Sequence, residues 1–312
     1  MSAAAASDPA SRKLIDQELA ERVSSLHVRA VRAVDGIRSG IHKSPHRGAS
    51  MVFAEHRDYR PGDDLRTLDW RVFARNDRYT VKHFEQETHL RASLLLDLSA
   101  SMSFDGGKPE TQKALYAATL LAALSLILLG QGDAVGAYAF DVDLRKALPA
   151  RNRADHLNSL LSVLALAPLS QSAAPAALAK TLTAIGEHVG RRGLVVLASD
   201  LIDDAPDALG PLSHFAALGH EVVVLHTLHP QELEFPFSNS MRFEDPEHEG
   251  AMLEADAESI RKAYRAELAQ FLEHCKQRCV SAGARYALAR TDRPVQEVLA
   301  SVLLPAGRSG WA

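Results

Sequence analysis

Two apolar runs limit what this 312-residue chain can fold into. Ser93 to Leu96 leads directly into Asp97, and Gly193-Leu194-Val195-Val196-Leu197-Ala198 leads into Ser199-Asp200. Neither run alternates polar with apolar residues, so each reads as a short strand buried on both faces. Further strands are expected at Asp133 to Phe140, Glu221 to Leu228 and Ala284 to Leu288. Helical patterns separate them: Lys108 to Leu129, Arg153 to Leu166, Pro175 to Val189, Ala205 to Leu218, Ala257 to Ser281 and Pro294 to Leu303. Buried strands alternating with helices predict an α/β fold, with a central, mostly parallel sheet covered by helices on both faces. Residues 230–256 break the alternation and read as irregular, with a small hairpin.

The first third differs in character. Residues 1–10 are expected to be disordered. Leu14, Leu19, Val23, Leu26, Ala30 and Val34 recur at helical spacing over 11–39, and Gly36, Gly40, Pro45 and Gly48 then break the pattern. Residues 50–90 are charged, aromatic and turn-rich. Tyr59-Arg60-Pro61-Gly62-Asp63-Asp64 is a turn sequence, because Pro sets φ for one central position and Gly supplies the positive φ of the next. Thr80 to Phe84 reads as a short strand. The expected organisation is an N-terminal helical and β region over 11–89, an α/β domain over 90–305 and a tail over 306–312.

Charge and cysteine usage exclude several classes. Residues 1–93 carry 16 Lys/Arg against 13 Asp/Glu and the rest 19 against 26, which sums to −4. That asymmetry is too small for a nucleic-acid-binding arm. Cys275 and Cys279, four apart on an expected helix, are too few for a disulfide framework and read as reduced thiols. The N-terminus lacks a signal peptide's basic and apolar segments. The longest apolar run, Ala114 to Leu129, is shorter than the ~20 residues needed to span a bilayer. These features predict a buried helix and a cytoplasmic protein without an integral membrane segment.

In an open α/β sheet, ligands bind at the carboxyl ends of the strands. Asp97-x-Ser99-x-Ser101 places a carboxylate and two hydroxyls at alternating positions of one such loop, and Asp200 ends another strand. Oxygen donors of this kind suit Mg²⁺ or Mn²⁺, which take about six ligands and keep several waters. Hydroxyls bind directly and carboxylates through water, leaving a position for a carboxylate from outside. A purely local role also fits: Asp97, Ser99 and Asp200 could cap the helices that follow.

Here the chain resembles a family. Asp97-x-Ser99-x-Ser101 is similar to the first metal-ion-dependent adhesion motif of von Willebrand factor A-like (vWA) domains, and Asp200 matches the later Asp. The stretch Phe53 to Arg75, FAEHRDYRPGDDLRTLDWRVFAR, resembles the block that marks the domain-of-unknown-function fifty-eight family. The resemblance runs from about residue 15 to 305. It implies a vWA-like fold and a non-enzymatic adaptor that works with a MoxR-type AAA+ ATPase in chaperone-like maturation of a client protein. Where such metal sites carry a Thr, Pro168 to Ala174 offers Ser170 and Ser172; the implied metal set is Asp97, Ser99, Ser101, Asp200 and Ser172. Many members of that family begin with transmembrane helices; none is expected in this sequence.

In the 55–87 block, Arg57, Arg60, Arg66 and Arg75 mix with Asp63, Asp64, Asp69 and Trp70. They form either a salt-bridge lattice around a buried Trp or a partner-docking face, since Arg and aromatic residues dominate binding energy at interfaces. His83, Glu85 and Glu87 alternate on an expected strand and read as a solvated face. His274 with Cys275 and Cys279 supplies only three candidate ligands. Two other functions compete with the adaptor. One is a metal-dependent phosphatase or nuclease built on Asp97, Asp200 and Asp203 or Asp204, although Ser99 stands where phosphatases with an aspartyl nucleophile carry a second Asp. The other is a structural scaffold with a degenerate metal site.

Overall fold

The computed structural model describes residues 9–41, 53–58, 80–84, 90–153, 155–167, 177–190, 192–203, 207–246 and 250–303. The chain divides into two compact units: Met1–Ile41 with Leu90–Ala312, and His42–His89. The first helix thus belongs with the α/β body rather than with the charged block that follows it, whereas 11–89 was expected to form one region. Its burial explains this: Leu26, Ala30, Ala33, Val34 and Ile37 all enter the body's core.

In the smaller unit, β1 (Phe53–Asp58) pairs antiparallel with β2 (Thr80–Phe84), with an irregularity between Phe53 and Glu55. Arg57 lies on β1. Arg60, Asp63, Asp64, Arg66, Asp69, Trp70 and Arg75 lie outside the described residues.

The larger unit is built on six strands: β3 (Arg91–Asp97), β4 (Ala134–Phe140), β5 (Leu144–Arg151), β6 (Leu194–Ser199), β7 (Glu221–Leu228) and β10 (Ala284–Arg290). Their order across the sheet is β10-β7-β6-β3-β4-β5. All neighbours are parallel except β4 and β5. The expected runs match these strands to within two residues at every end. The antiparallel β5 is an addition: it is an edge strand, largely exposed, and its sequence LRKALPAR has no apolar run to announce it. Pro149 is tolerated there because an edge strand has a side with no ladder to feed.

Helices cover both faces. On one lie α1 (Pro9–Ile41), α2 (Lys113–Gly130), α3 (His156–Leu164) and α8 (Val295–Leu303), packed on Leu94, Leu96, Ala137, Val196 and Leu225. On the other lie α4 (Leu178–Gly186), α5 (Pro211–Ala217) and α7 (Ala257–Ser281), packed on Leu95, Tyr138, Val195, Leu197 and Val224. Adjacent residues of one strand, such as Leu94 and Leu95, therefore enter opposite layers. The helix expected from Lys108 starts instead at Lys113, because Pro109–Thr111 forms a separate 3₁₀ turn. α2 is long and apolar enough to cross a membrane by composition, but most of it is buried inside the body. A helix apolar on all sides is one enclosed by its neighbours. The expected hairpin is β8 (Ser240–Glu244) with β9 (Met252–Asp256), preceded by the short α6 (Pro230–Glu234).

Candidate functional site

β3 sends its chain to one side of the sheet, through α2 to β4. β6 sends its chain to the other, through α5 to β7. The two strands are nonetheless direct neighbours, with Leu96 in register with Ala198. The crevice at their carboxyl ends is the topological switch point, where open α/β sheets bind ligands. Asp97 is the last residue of β3 and Asp200 follows β6 by one.

The structure brings four of the five expected ligands together at this point. Asp97 is 1% exposed, and its carboxylate is fully engaged: Oδ1 accepts from the Ser99 amide at 2.8 Å, and Oδ2 from the Ser199 hydroxyl at 2.5 Å. Ser199 Oγ in turn accepts from the Leu201 amide at 2.9 Å. The Ser99 and Ser101 hydroxyls lie 3.1 Å apart. Leu201 holds a left-handed φ of 58°, unfavourable for a residue with a side chain, so the turn presenting Asp200 is strained. The fifth expected ligand, Ser172, and its alternative Ser170 lie outside the described residues.

Helix capping does not account for these residues. The residue preceding α2 is Gln112, with no side-chain cap, and the Ser99 side chain caps nothing in the turn it opens. Asp203, weighed for a catalytic cluster, instead accepts from the Leu178 amide at 2.7 Å at the start of α4. Asp204 lies outside the described residues.

A lysine completes the cluster. Lys113, the first residue of α2, is wholly buried, and its ammonium donates to Asp200 Oδ2 at 2.8 Å and to Glu232 Oε1 at 2.7 Å. The other Glu232 oxygen accepts from the His229 amide at 2.7 Å, closing the capping box that starts α6. His226, in register with Ser199, is also buried, with Nδ1 2.8 Å from the Tyr286 hydroxyl. Lys113, Ser199, His226 and Glu232 were not expected at the site. One signal pointed to Lys113: it opens a helix with no polar face, where a charged residue must be buried and paired.

Burial sets the electrostatics. Desolvation, with Asp200 nearby, pushes the Asp97 carboxyl up to about 7, against the hydrogen bonds from Ser199 and Ser99 that favour its charged form. Desolvation alone would lower Lys113, but the Asp200 and Glu232 charges outweigh it and hold the ammonium above the usual lysine range. Burial lowers His226 to about 4, so its ring is neutral near pH 7.

The donor chemistry fits a hard divalent ion. Every donor is an oxygen, and two ligands at right angles about 2.1 Å from Mg²⁺ stand roughly 3.0 Å apart. The Ser99 and Ser101 hydroxyls, hydrogen-bonded to each other at 3.1 Å, also stand at that spacing. Among the described residues no group of three or more His, Cys, Asp or Glu could hold a metal, so any ion here would depend on the serine hydroxyls. His274 is exposed while Cys275 and Cys279 are buried, so those three do not converge. Burial pushes the two thiols up to about 11 and about 12.

The chain is similar to several known proteins. An uncharacterized protein of Mycobacterium tuberculosis is 29% identical over 286 residues, covering 89% of this chain and 86% of that one. Among solved structures, the chain is similar to the conserved hypothetical protein BatB from Bacteroides thetaiotaomicron, with 18% identity, 68% of this chain and 96% of that chain covered, and a TM-score of 0.44. It is also similar to the SpRpn10 VWA domain, with 10% identity, 72% and 100% covered, and a TM-score of 0.38. The model of the family described as "Protein of unknown function DUF58" matches residues 55–273, from the charged block through the whole strand-end cluster. This chain, an α/β protein with a mostly parallel six-stranded sheet, belongs to the DUF58 family.

Proposed function

We propose that the chain is a non-enzymatic protein-binding adaptor whose strand-end cluster takes Mg²⁺ or Mn²⁺ and, through it, a carboxylate of a partner protein. The observation that carries this reading is the convergence, at the switch point of the sheet, of Asp97, Asp200 and the hydroxyl pair of Ser99 and Ser101. Ser99 and Ser101 would hold the ion directly, and Asp97 and Asp200 through water. The ion would supply a positive centre for an outside carboxylate. The proposed partner is a MoxR-type AAA+ ATPase, with a client protein that the pair matures, a reading that rests on the resemblance of Phe53 to Arg75 to the family block.

Both Asp97 oxygens already accept hydrogen bonds, and the side chain is almost wholly buried, which suits a fixed outer-sphere anion better than an attacking nucleophile. One observation favours a second reading, the metal-free scaffold. Lys113 already places a positive charge against Asp200.

Titration calorimetry of Mg²⁺ and Mn²⁺ into the full chain, beside Asp97→Ala, tests the proposal. Binding to the wild type that is lost in a folded variant supports it, as does ATPase capture abolished by chelator. Undiminished ATPase capture in chelator, with no heat of metal binding, would establish the scaffold instead.

A further inference from the structure

We infer that Lys113 is the resident cation of the cluster and holds its divalent-ion affinity down, by occupying the Asp200 carboxylate that a metal ion would otherwise command. This rests on the metal reading above and adds a control element to it.

The argument begins with where the charge sits. The Lys113 side chain has no exposed surface, and its Nζ lies within 2.8 Å of one oxygen on each of two carboxylates. A buried ammonium without such partners would cost several kcal/mol or give up its proton. Here both partners keep it charged. Lys113 and the next residue, Ala114, are both wholly buried at the start of α2.

The electrostatic sum follows. Asp97, Asp200 and Glu232 bring three negative charges when ionised, and Lys113 cancels one. With all three ionised, an incoming divalent ion meets a net −2 rather than −3, with a like charge touching one of its two candidate carboxylates. Repulsion between like charges a few ångströms apart in a buried setting is far larger than in water. Asp200 keeps its other oxygen toward the turn, where Oδ1 accepts from the Ile202 amide at 3.3 Å. Lys113 also ties the start of α2, the end of β6 and α6 to one another, so it fixes where Asp200 points. The two roles predict opposite effects when the charge is removed. A positioning role alone predicts weaker metal binding; a resident cation predicts tighter binding.

The test is Mn²⁺ titration calorimetry on the full chain, comparing wild type with Lys113→Gln and Lys113→Met, each also in a Ser99→Ala background. The expected result is an affinity about tenfold or more higher in the lysine variants, with the gain lost when Ser99 is replaced. Equal affinity in wild type and variants overturns the inference while leaving the metal reading intact. A gain that survives Ser99→Ala also overturns it, because the ion would then sit between the freed Asp200 and Glu232. No binding by any protein removes both. Should the lysine variants not fold, Glu232→Gln provides the complementary measurement. It leaves Lys113 bearing on Asp200 alone, and Mn²⁺ affinity is expected to fall about threefold or more. Unchanged or tighter binding there overturns the inference.

Discussion

The Ser199 hydroxyl donates to Asp97 Oδ2 at 2.5 Å, joining residues 102 apart in sequence across the two central strands of the sheet. Ser199 Oγ also accepts from the Leu201 amide, so one hydroxyl braces both the carboxylate of β3 and the strained turn after β6. Ser199→Ala removes both bonds and leaves a buried amide without its acceptor. The expected loss is about 1–3 kcal/mol, seen as a drop in Tm of roughly 3–10 °C. An unchanged melting temperature would show that this bracing contributes nothing.

Asp97 should make the metal-free protein less stable as pH rises. Its carboxyl stands at about 7 in the folded chain against 3.8 ordinarily. Between those values the folded state holds the proton more tightly than the unfolded state does. Stability from this group is therefore greatest below pH 4, falls as pH rises through 4–7, and is level above 7. The difference is at most on the order of 4 kcal/mol. In chelating buffer, Asp97→Asn is expected to melt above the wild type at pH 8, with the gap narrowing toward pH 5. A gap that does not change with pH would mean that Asp97 does not titrate in this range.

Gly193 is required for the β3–β6 contact itself. A Cβ at this position would overlap the backbone carbonyl oxygen of Arg91, the first residue of β3. Backbone cannot rotate away as a side chain can. Gly193→Ala should therefore cost about 2 kcal/mol or more. It should also weaken metal binding by moving Asp200 relative to Asp97. Wild-type values for both, measured by thermal melt and calorimetry, would place the tolerance of this strand pair well above what its geometry suggests.

The sheet's centre was legible because fully buried parallel strands leave an unbroken apolar signature. Leu94-Leu95-Leu96 and Val195-Val196-Leu197 mark both strands, and chemistry at their ends marks the site. Asp97, Ser99 and Ser101 announce themselves because their spacing is local. Lys113 does not, because its partners Asp200 and Glu232 lie 87 and 119 residues away. No short window contains that relationship. The apolar helix it opens signals that Lys113 must be buried and paired, but not with which carboxylates. Residue 199 was read as the end of an apolar run, and only the β3–β6 register turns its hydroxyl into a partner of Asp97. β5 escaped notice for the opposite reason. Its exposure lets it carry Arg145, Lys146 and Arg151, and that leaves a mixed pattern with no period to read.

That strand has a consequence for how the chain behaves among copies of itself. A sheet edge with open amides and carbonyls is a template on which another chain can extend the ladder. On β5, Pro149 removes one amide from that template. The exposed Arg145, Lys146 and Arg151 would bring positive charge to both sides of a pairing between two such edges. At this edge the protein guards itself against runaway polymerisation.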